Sequence, residues 1–261
     1  IAQEFQNQSK ANQVLFIGSD SGLETSLVPR WGFQLETLNL GKLVGQNLTT
    51  RLKTLVQIPI AVFKSILIFR HFEAEMVIGV GGYAAGPCIL AAKILRIPTA
   101  ILEQNSVMGL TNRLCAALSD HVFLAFEEKP IGLSKRKCIV SGNPSRSNLK
   151  PSSVKAMKPF SLFIFGGSQG ATGINKMVID SLKTLAPYKD EIRISHQTGK
   201  NDESWVKQAY IDAGWKADVF TFIDDMQAQY NQASLVICRA GSGTISELST
   251  TKNAAVLVPF P

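Results

Sequence analysis

The sequence is poor in the residues that most often bind metal ions or act as acid–base catalysts. Its 261 residues include only three histidines and four cysteines. The cysteines form no Cys-x-x-Cys pair and lack zinc-ligand spacing, which argues against a structural zinc site. All four lie in apolar segments, so we expect buried free thiols and a reducing compartment. They are Cys88, Cys115, Cys138 and Cys238.

Long hydrophobic runs are also missing. The longest, residues 54–69, is interrupted by Gln57, Pro59 and Lys64. It is shorter than the roughly 20 residues that a membrane-spanning helix needs, so no transmembrane segment is expected. No signal peptide is expected from the sequence, which also has no initiator Met. It starts in a helix-like segment and stops in a strand-like one, and we expect both ends of a longer protein to be missing.

Hydrophobic residues make up 45% of the chain, with 20 glycines and a net charge of +7. This composition is typical of a globular protein and favours anionic partners such as phosphorylated ligands, acidic lipid or nucleic acid, without choosing among them. Short apolar strands alternate with helices, which predicts parallel sheets covered on both faces. Strands are predicted at 14–18, 76–80, 99–103, 122–125, 138–140, 161–165, 192–196, 219–222, 235–238 and 255–258. Helices are predicted at 48–70, 87–95, 112–118, 171–185, 203–213, 226–232 and 244–251.

The pattern occurs twice, separated by a Ser-, Lys- and Pro-rich stretch at 146–159. We therefore predict an α/β chain of two Rossmann-like, doubly wound domains with a cleft between them. The boundary is placed between residues 146 and 147. Ligands of such sheets bind at the carboxyl ends of the strands.

Two glycine-rich turns follow predicted strands and precede predicted helices. Residues 166–170 read Gly-Gly-Ser-Gln-Gly, so a ligand can approach the backbone closely and a helix N-terminus can hold a phosphate. Residues 239–247 read Arg-Ala-Gly-Ser-Gly-Thr-Ile-Ser-Glu. There Glu247 either accepts both hydroxyls of a ribose or caps its helix. Each turn taken alone is also compatible with a turn that binds nothing.

Other candidate residues are weaker. Tyr83 lies on a glycine-flanked tip, where a core position is not expected, and residues 103–105 end a strand. His196 ends a strand facing the presumed cleft, but no histidine is expected to be catalytic. The pair at 224–225 is expected to serve in a turn and a helix cap.

Two familiar phosphate-binding motifs are absent. There is no Gly-Lys-Ser/Thr, which excludes a Walker P-loop. An NAD site needs an acidic residue at the end of the strand that follows the first glycine turn. Asp190 and Glu191 precede that strand, which ends in Gln197-Thr198 instead, so a dehydrogenase is disfavoured.

Taken together, the motifs resemble the MurG family, the bacterial peptidoglycan N-acetylglucosaminyltransferases, over nearly the whole chain. They occur in this order: 79–83 (GVGGY), 103–105 (EQN), 142–146 (GNPSR), 166–170 (GGSQG), 196–200 (HQTGK), 222–226 (FIDDM) and 239–247 (RAGSGTISE). The resemblance implies a GT-B fold and an inverting transfer of N-acetylglucosamine from UDP-GlcNAc to the C4 hydroxyl of the muramyl sugar of lipid I. The product is lipid II, and no cofactor or bound metal is implied.

The resemblance also implies roles for individual residues. Ser168 and Arg146 would touch the UDP portion, the backbone of Ile223 the uracil, and Glu247 the ribose. Asn105 would contact the donor from the other half, and Tyr83 would lie near the acceptor. The segment that would wrap the diphosphate comprises Ser242, Gly243, Thr244, Ile245 and Ser246.

The general base of the family is expected in a glycine-rich loop upstream of Ile1, so its identity is left open and the chain as given is expected to be inactive. Leu102 stands where the family commonly has histidine. The apolar segment 54–69, with Arg51, Lys53, Lys64 and Arg70, is interpreted either as a core helix or as a patch that docks peripherally on the anionic cytoplasmic face of the cell membrane. A nucleic-acid partner is not expected. Another UDP-sugar enzyme of this fold, such as an epimerase, and a non-catalytic nucleotide-binding module remain alternatives.

Overall fold

The computed structural model describes residues 1–20, 22, 24–39, 48–127, 132–134, 136–152 and 159–260, with the backbone alone for 48–56. Within these ranges the chain divides into two compact units, Ile1–Asn143 and Pro144–Pro261, called here unit 1 and unit 2. The predicted boundary lay three residues further on. Arg146 is in unit 2, where its side chain has its contacts.

Strands and helices alternate in both units. The strands are β1 Leu15–Ser19, β2 Gln34–Leu38, β3 Val77–Gly79, β4 Thr99–Glu103, β5 His121–Leu124, β6 Cys138–Val140, β7 Phe160–Phe165, β8 Ile192–Gln197, β9 Ala217–Phe220, β10 Leu235–Arg239 and β11 Ala255–Val258. The helices are α1 Ala2–Gln8, α2 Glu24–Arg30, α3 Leu48–Phe72, α4 Ala85–Ile94, α5 Leu110–Leu118, α6 Thr172–Leu185, α7 Glu203–Asp212, α8 Met226–Gln232 and α9 Ser242–Thr251. A short 3-10 turn, Ala186–Tyr188, follows α6.

Unit 2 is built on one parallel sheet of five strands in the order β11-β10-β7-β8-β9. The first strand of the unit lies in the middle and the chain winds outward in both directions, as in a Rossmann fold. Leu162 and Ile164 face the apolar side chains of α6 and α7. Phe163 and Phe165 point to the other face, against α8 and α9. The alternating side chains of β7 therefore build two cores, one on each face of the sheet.

Unit 1 contains a parallel pair, β1-β2, and a four-stranded parallel sheet in the order β3-β4-β5-β6. Its core packs α3 and α4 against β3, β4 and β5. Helix α4 is short and apolar, and six of its ten residues are buried. All three strand pairs of the larger sheet are parallel, so the carboxyl ends of its strands lie along a common edge.

Helix α3 buries one side and exposes another. Ala61 and Phe69 lie in the core, whereas Ile60 and Phe63 leave about two thirds of their surface exposed. The side chains of Arg51 and Lys53 are outside the described residues. No helix in the described part of the chain has the length and hydropathy needed to cross a membrane.

All four cysteines are free thiols, and three of them are buried as expected, while Cys138 is half-buried. Burial raises the pKa of Cys88 to about 11 and that of Cys238 to about 12. Such thiols stay protonated at neutral pH and are poor nucleophiles.

Candidate functional site

The carboxyl ends of β7 and β10 lie side by side at the centre of the unit 2 sheet. From this seam the strand order runs outward in opposite directions, which makes it the switch point where ligands of doubly wound sheets bind. The two glycine-rich turns follow these two strands. The fold thus brings together the two predicted phosphate turns, although 68 residues (171–238) separate them in sequence.

The first turn contains glycines of two kinds. Gly170 has φ +78°, and a Cβ there would clash with the carbonyl oxygen of Thr198. Gly167 has φ +95°, and a Cβ there would meet no atom within 4 Å. Gly170 is therefore needed for packing between two turns, while Gly167 faces open space where a ligand can approach. Ser168, between them, is exposed.

Gln197, the last residue of β8, ties the first glycine-rich turn to the segment that follows β9. Its side-chain amide donates to the carbonyl oxygen of Gly167 at 2.9 Å. Its side-chain oxygen accepts from the backbone N–H of Ile223 at 2.7 Å. Gln197 is almost fully buried, and its bond to Ile223 lies in the interior. Because the backbone N–H of Ile223 already donates to Gln197, the Ile223 carbonyl is the backbone group left to contact a nucleobase such as uracil.

Helix α9 begins at the seam without a side-chain cap. Gly241 is the N-cap residue, and the first helical hydrogen bond runs from the N–H of Ile245 to the carbonyl of Gly241. The N–H groups of Ser242, Gly243 and Thr244 belong to the first turn, where no helical carbonyl is available to them. The helix was predicted to start at Thr244. Its earlier start places Ser242 and Gly243 in this first turn as well.

Glu247 does not cap the helix. It is the sixth residue of α9, and its carboxylate is held by two side chains from outside that helix. The Nε of Arg146 lies 3.2 Å from Oε1, and the hydroxyl of Tyr230 donates to Oε2 at 2.9 Å. Glu247 is mostly buried, and Arg146 is about two-fifths exposed. Arg146 also reaches the carbonyl oxygen of Asp224 at 3.5 Å.

His196 does not face the site. It is fully buried on the α6 and α7 side of the sheet, because neighbours on a strand point to opposite faces. Asn175 donates its amide hydrogens to Thr198 and Asp202, so its oxygen accepts from Nε2 of His196. Nδ1 then accepts from the hydroxyl of Tyr210. Burial lowers the pKa of His196 to about 4.

In unit 1, the carboxyl end of β4 carries a buried carboxylate. One oxygen of Glu103 accepts from the backbone and side-chain N–H groups of Asn105, and the other from Gly109 and Asn112. Asn105 itself is exposed, and Tyr83 is partly exposed in the turn after the neighbouring strand β3. Glu103 thus fixes the loop that presents Asn105.

The Asp224–Asp225 pair and the possible metal ligands are the remaining candidates from the sequence. Asp225 caps α8 by accepting from the N–H of Ala228, as expected. Groups of three or more histidine, cysteine, aspartate or glutamate side chains arranged to hold a metal ion do not occur among the residues with described positions. Sequence analysis did not identify Tyr230 or Gln197, whose contacts join segments far apart in the chain.

Known protein families match both units of the chain. A model of the glycosyltransferase family 28 N-terminal domain matches residues 1–124, and one of the C-terminal domain matches residues 161–261. A Myxococcus xanthus protein named UDP-N-acetylglucosamine--N-acetylmuramyl-(pentapeptide) pyrophosphoryl-undecaprenol N-acetylglucosamine transferase is 40% identical over 100% of this chain and 69% of its own length.

Among solved structures, the crystal structure of Acinetobacter baumannii MurG matches with a TM-score of 0.70 and 32% identity, over 100% of this chain and 72% of that one. A UDP-GlcNAc 2-epimerase from Neisseria meningitidis, bound to UDP-GlcNAc, matches with a TM-score of 0.57 over 91% of this chain and 72% of that one. At 13% identity it shows a shared fold only. The predicted GT-B class, with two Rossmann-like domains, is confirmed. The chain belongs to the MurG family of N-acetylglucosaminyltransferases, which form lipid II in peptidoglycan synthesis, within glycosyltransferase family 28.

Proposed function

We propose that the carboxyl edge of the unit 2 sheet holds the UDP portion of UDP-GlcNAc during transfer of the sugar to the C4 hydroxyl of lipid I. The observation that carries the proposal is the Glu247 carboxylate, fixed between Arg146 and Tyr230 in the helix that starts uncapped at the switch point. Family membership supports the reaction, and the geometry supports the binding mode.

The diphosphate is assigned to the start of α9. The N–H groups of the first helical turn and the positive end of the helix dipole attract phosphate oxygens. Ser242, Gly243 and Thr244 supply those N–H groups, and the exposed Ser168 adds a hydroxyl from the neighbouring turn. The Gly167 position leaves room for a ligand beside that hydroxyl. As UDP departs, these groups stabilise the negative charge that develops on its phosphates.

The nucleoside is assigned to the same edge. A carboxylate accepts hydrogen bonds only, and its two oxygens suit the paired hydroxyls of a ribose. Glu247 has one neighbour on each oxygen, and each oxygen retains a lone-pair site for a hydroxyl. Ile223 offers its carbonyl to the base. Arg146, beside Glu247, adds positive charge near the UDP.

The acceptor contacts are assigned to unit 1. Tyr83 and Asn105 follow neighbouring strands, β3 and β4, so both lie at the carboxyl edge of that sheet. We propose that Tyr83 contacts the acceptor and that Asn105 contacts the donor sugar, its orientation set by the buried Glu103. The base that deprotonates the C4 hydroxyl is not assigned to any residue of this chain.

Calorimetry on the full-length protein tests the binding mode. Glu247→Ala should weaken UDP binding at least about a hundredfold, since two charge-assisted bonds of about 1.5–3 kcal/mol each are lost. Glu191→Ala is the matched control, because that exposed glutamate precedes β8, at the opposite end of the strands. Equal affinity of the Glu247 variant and the control would remove Glu247 from the ribose site.

The exposed side of α3 supports a peripheral location on the cytoplasmic membrane face. Ile60, Phe63 and Leu67 are exposed at helical spacing while the opposite side of the helix lies in the core. Exposed Arg70 adds positive charge at the end of this helix. Apolar side chains flanked by basic ones favour anionic bilayers. The helix is thus a core element that also offers the apolar surface that membrane docking requires.

Liposome sedimentation tests this location. A variant carrying Phe63→Ser and Arg70→Glu should bind vesicles of anionic phospholipid less than the parent protein does. Leu114→Ser is the control, since that leucine has the same exposure on α5. If the control loses as much binding as the α3 variant, or neither loses any, α3 is not the docking surface.

Product analysis separates the transferase from an epimerase. An epimerase would alter UDP-GlcNAc in the absence of any lipid, whereas the transferase needs a muramyl acceptor to consume the donor. Sugar nucleotide that stays unchanged until the acceptor is added supports the proposal. Conversion without acceptor would contradict it.

A further inference from the structure

Arg146 and Tyr230 both bond to the Glu247 carboxylate, and of these two side chains Tyr230 is shielded from solvent. It lies in α8 with no exposed surface, and its ring packs edge-on against Phe163 and Phe165 at centroid distances of 5.7 and 6.3 Å. Its backbone carbonyl accepts from Ser152 and Asn253. Ring and backbone are thus both fixed, so the hydroxyl has one position.

That hydroxyl is an obligatory donor to Glu247. Burial, and secondarily the adjacent carboxylate, raises the pKa of Tyr230 far above its ordinary value, so the group stays protonated. The bond to Oε2 measures 2.9 Å. The other oxygen, Oε1, is paired with Arg146, whose side chain is 43% exposed. A long side chain in contact with solvent restrains the orientation of the carboxylate only weakly.

The last torsion of a glutamate is soft and needs an external restraint to be fixed. With Oε2 held by the buried hydroxyl, the carboxylate plane is set before any ligand arrives. Resting on the ribose role of Glu247 proposed above, we infer that Tyr230 is the positioning residue that orients the Glu247 carboxylate and thereby sets the preference of the site for a ribonucleotide over a 2′-deoxyribonucleotide.

Tyr230→Phe isolates this role because it keeps the ring between the two phenylalanines and removes only the hydroxyl. Calorimetry on the full-length protein would compare UDP with 2′-deoxy-UDP. The parent protein should prefer UDP about tenfold, the value of one lost bond to a carboxylate. In the Tyr230→Phe protein the preference should fall to about twofold. For turnover, the KM for UDP-GlcNAc should rise, with kcat within about twofold.

Tyr210→Phe is the matched control. Tyr210 is also buried in unit 2, and its hydroxyl bonds to the ring of His196 on the other face of the sheet. Removing that hydroxyl lowers stability without touching Glu247, so the tenfold preference should persist. A tenfold preference in folded Tyr230→Phe would overturn the inference, as would its loss in Tyr210→Phe.

Two further variants separate this inference from the proposal on which it rests. Glu247→Ala should abolish the preference, and a retained preference there would refute the ribose role itself. If Glu247→Ala abolishes it and Tyr230→Phe does not, only the positioning role fails. Should Tyr230→Phe not fold, Arg146→Met decides: it should bind both nucleotides more weakly with the preference intact, and loss of the preference would show that Arg146 orients the carboxylate instead.

Discussion

Alanine substitutions at Gly170 and Gly167 should separate a glycine needed for packing from one needed for ligand approach. An L-residue with positive φ costs about 1–2 kcal/mol at either position. At Gly170 the new Cβ would also clash with the backbone carbonyl of Thr198 and lie 2.9 Å from the Cα of Gly199, so both turns must shift. Overpacking of this kind adds about 1–3 kcal/mol.

We therefore expect Gly170→Ala to lower the free energy of unfolding by about 2–5 kcal/mol, against about 1–2 kcal/mol for Gly167→Ala. Urea titration followed by fluorescence measures both. Calorimetry should show that Gly167→Ala, although it is the less destabilising substitution, weakens UDP binding more relative to the stability it costs. The reason is that the Cβ at Gly167 projects into space that the ligand would occupy. Equal destabilisation by the two substitutions would refute the packing argument, and unchanged UDP affinity in Gly167→Ala would refute the ligand argument.

Two further predictions concern buried polar groups. His196 has its pKa lowered to about 4, so it is neutral in the fold and takes up a proton on unfolding below its ordinary pKa of 6.5. The contribution of His196 to the free energy of unfolding is fully present above pH 6.5 and is lost as the pH falls towards 4. Between pH 7 and pH 5 this group should cost about 2 kcal/mol of stability, and in His196→Gln that part of the pH dependence should vanish; an unchanged slope would contradict the assignment. Gln197→Ala leaves the N–H of Ile223 unpaired in the interior and should cost about 1–3 kcal/mol in urea titration. The exposed control Gln208→Ala should cost less than about 0.5 kcal/mol, and equal losses would contradict the bridging role.

The strands of continuous apolar sequence could be predicted well. Thr99–Glu103 and Ala255–Val258 have the predicted bounds, because each is a short apolar run between polar or Pro-containing segments. Strand β2, Gln34–Leu38, was missed because alternate residues are polar and two of its five are exposed. Helix α2 was missed as well. It has only seven residues, and it contains Pro29, a residue that normally indicates the end of a helix.

The site was predicted to the extent that its residues lie in turns with a recognisable composition. Glu247 and Arg146 were identified through their motifs, and the structure adds that their side chains meet. His196 and Gln197 show the limit. They are neighbours on β8, one buried towards α6 and α7 and the other bonded to the glycine turn. Only the register of β8 decides which of them faces which side, and the sequence does not specify that register.

The central position of β7 has a consequence for how the protein matures. Its neighbour β10 is made some 70 residues later, and the seam between them closes only after β8, β9 and three helices have been synthesised. Contacts between such distant segments form slowly, because a long loop must close first. A nascent chain that ends before β10 therefore lacks the seam to which we assign the nucleotide. Free UDP-sugar would stabilise only finished domains, by mass action, and would favour completed enzyme over folding intermediates in the cell.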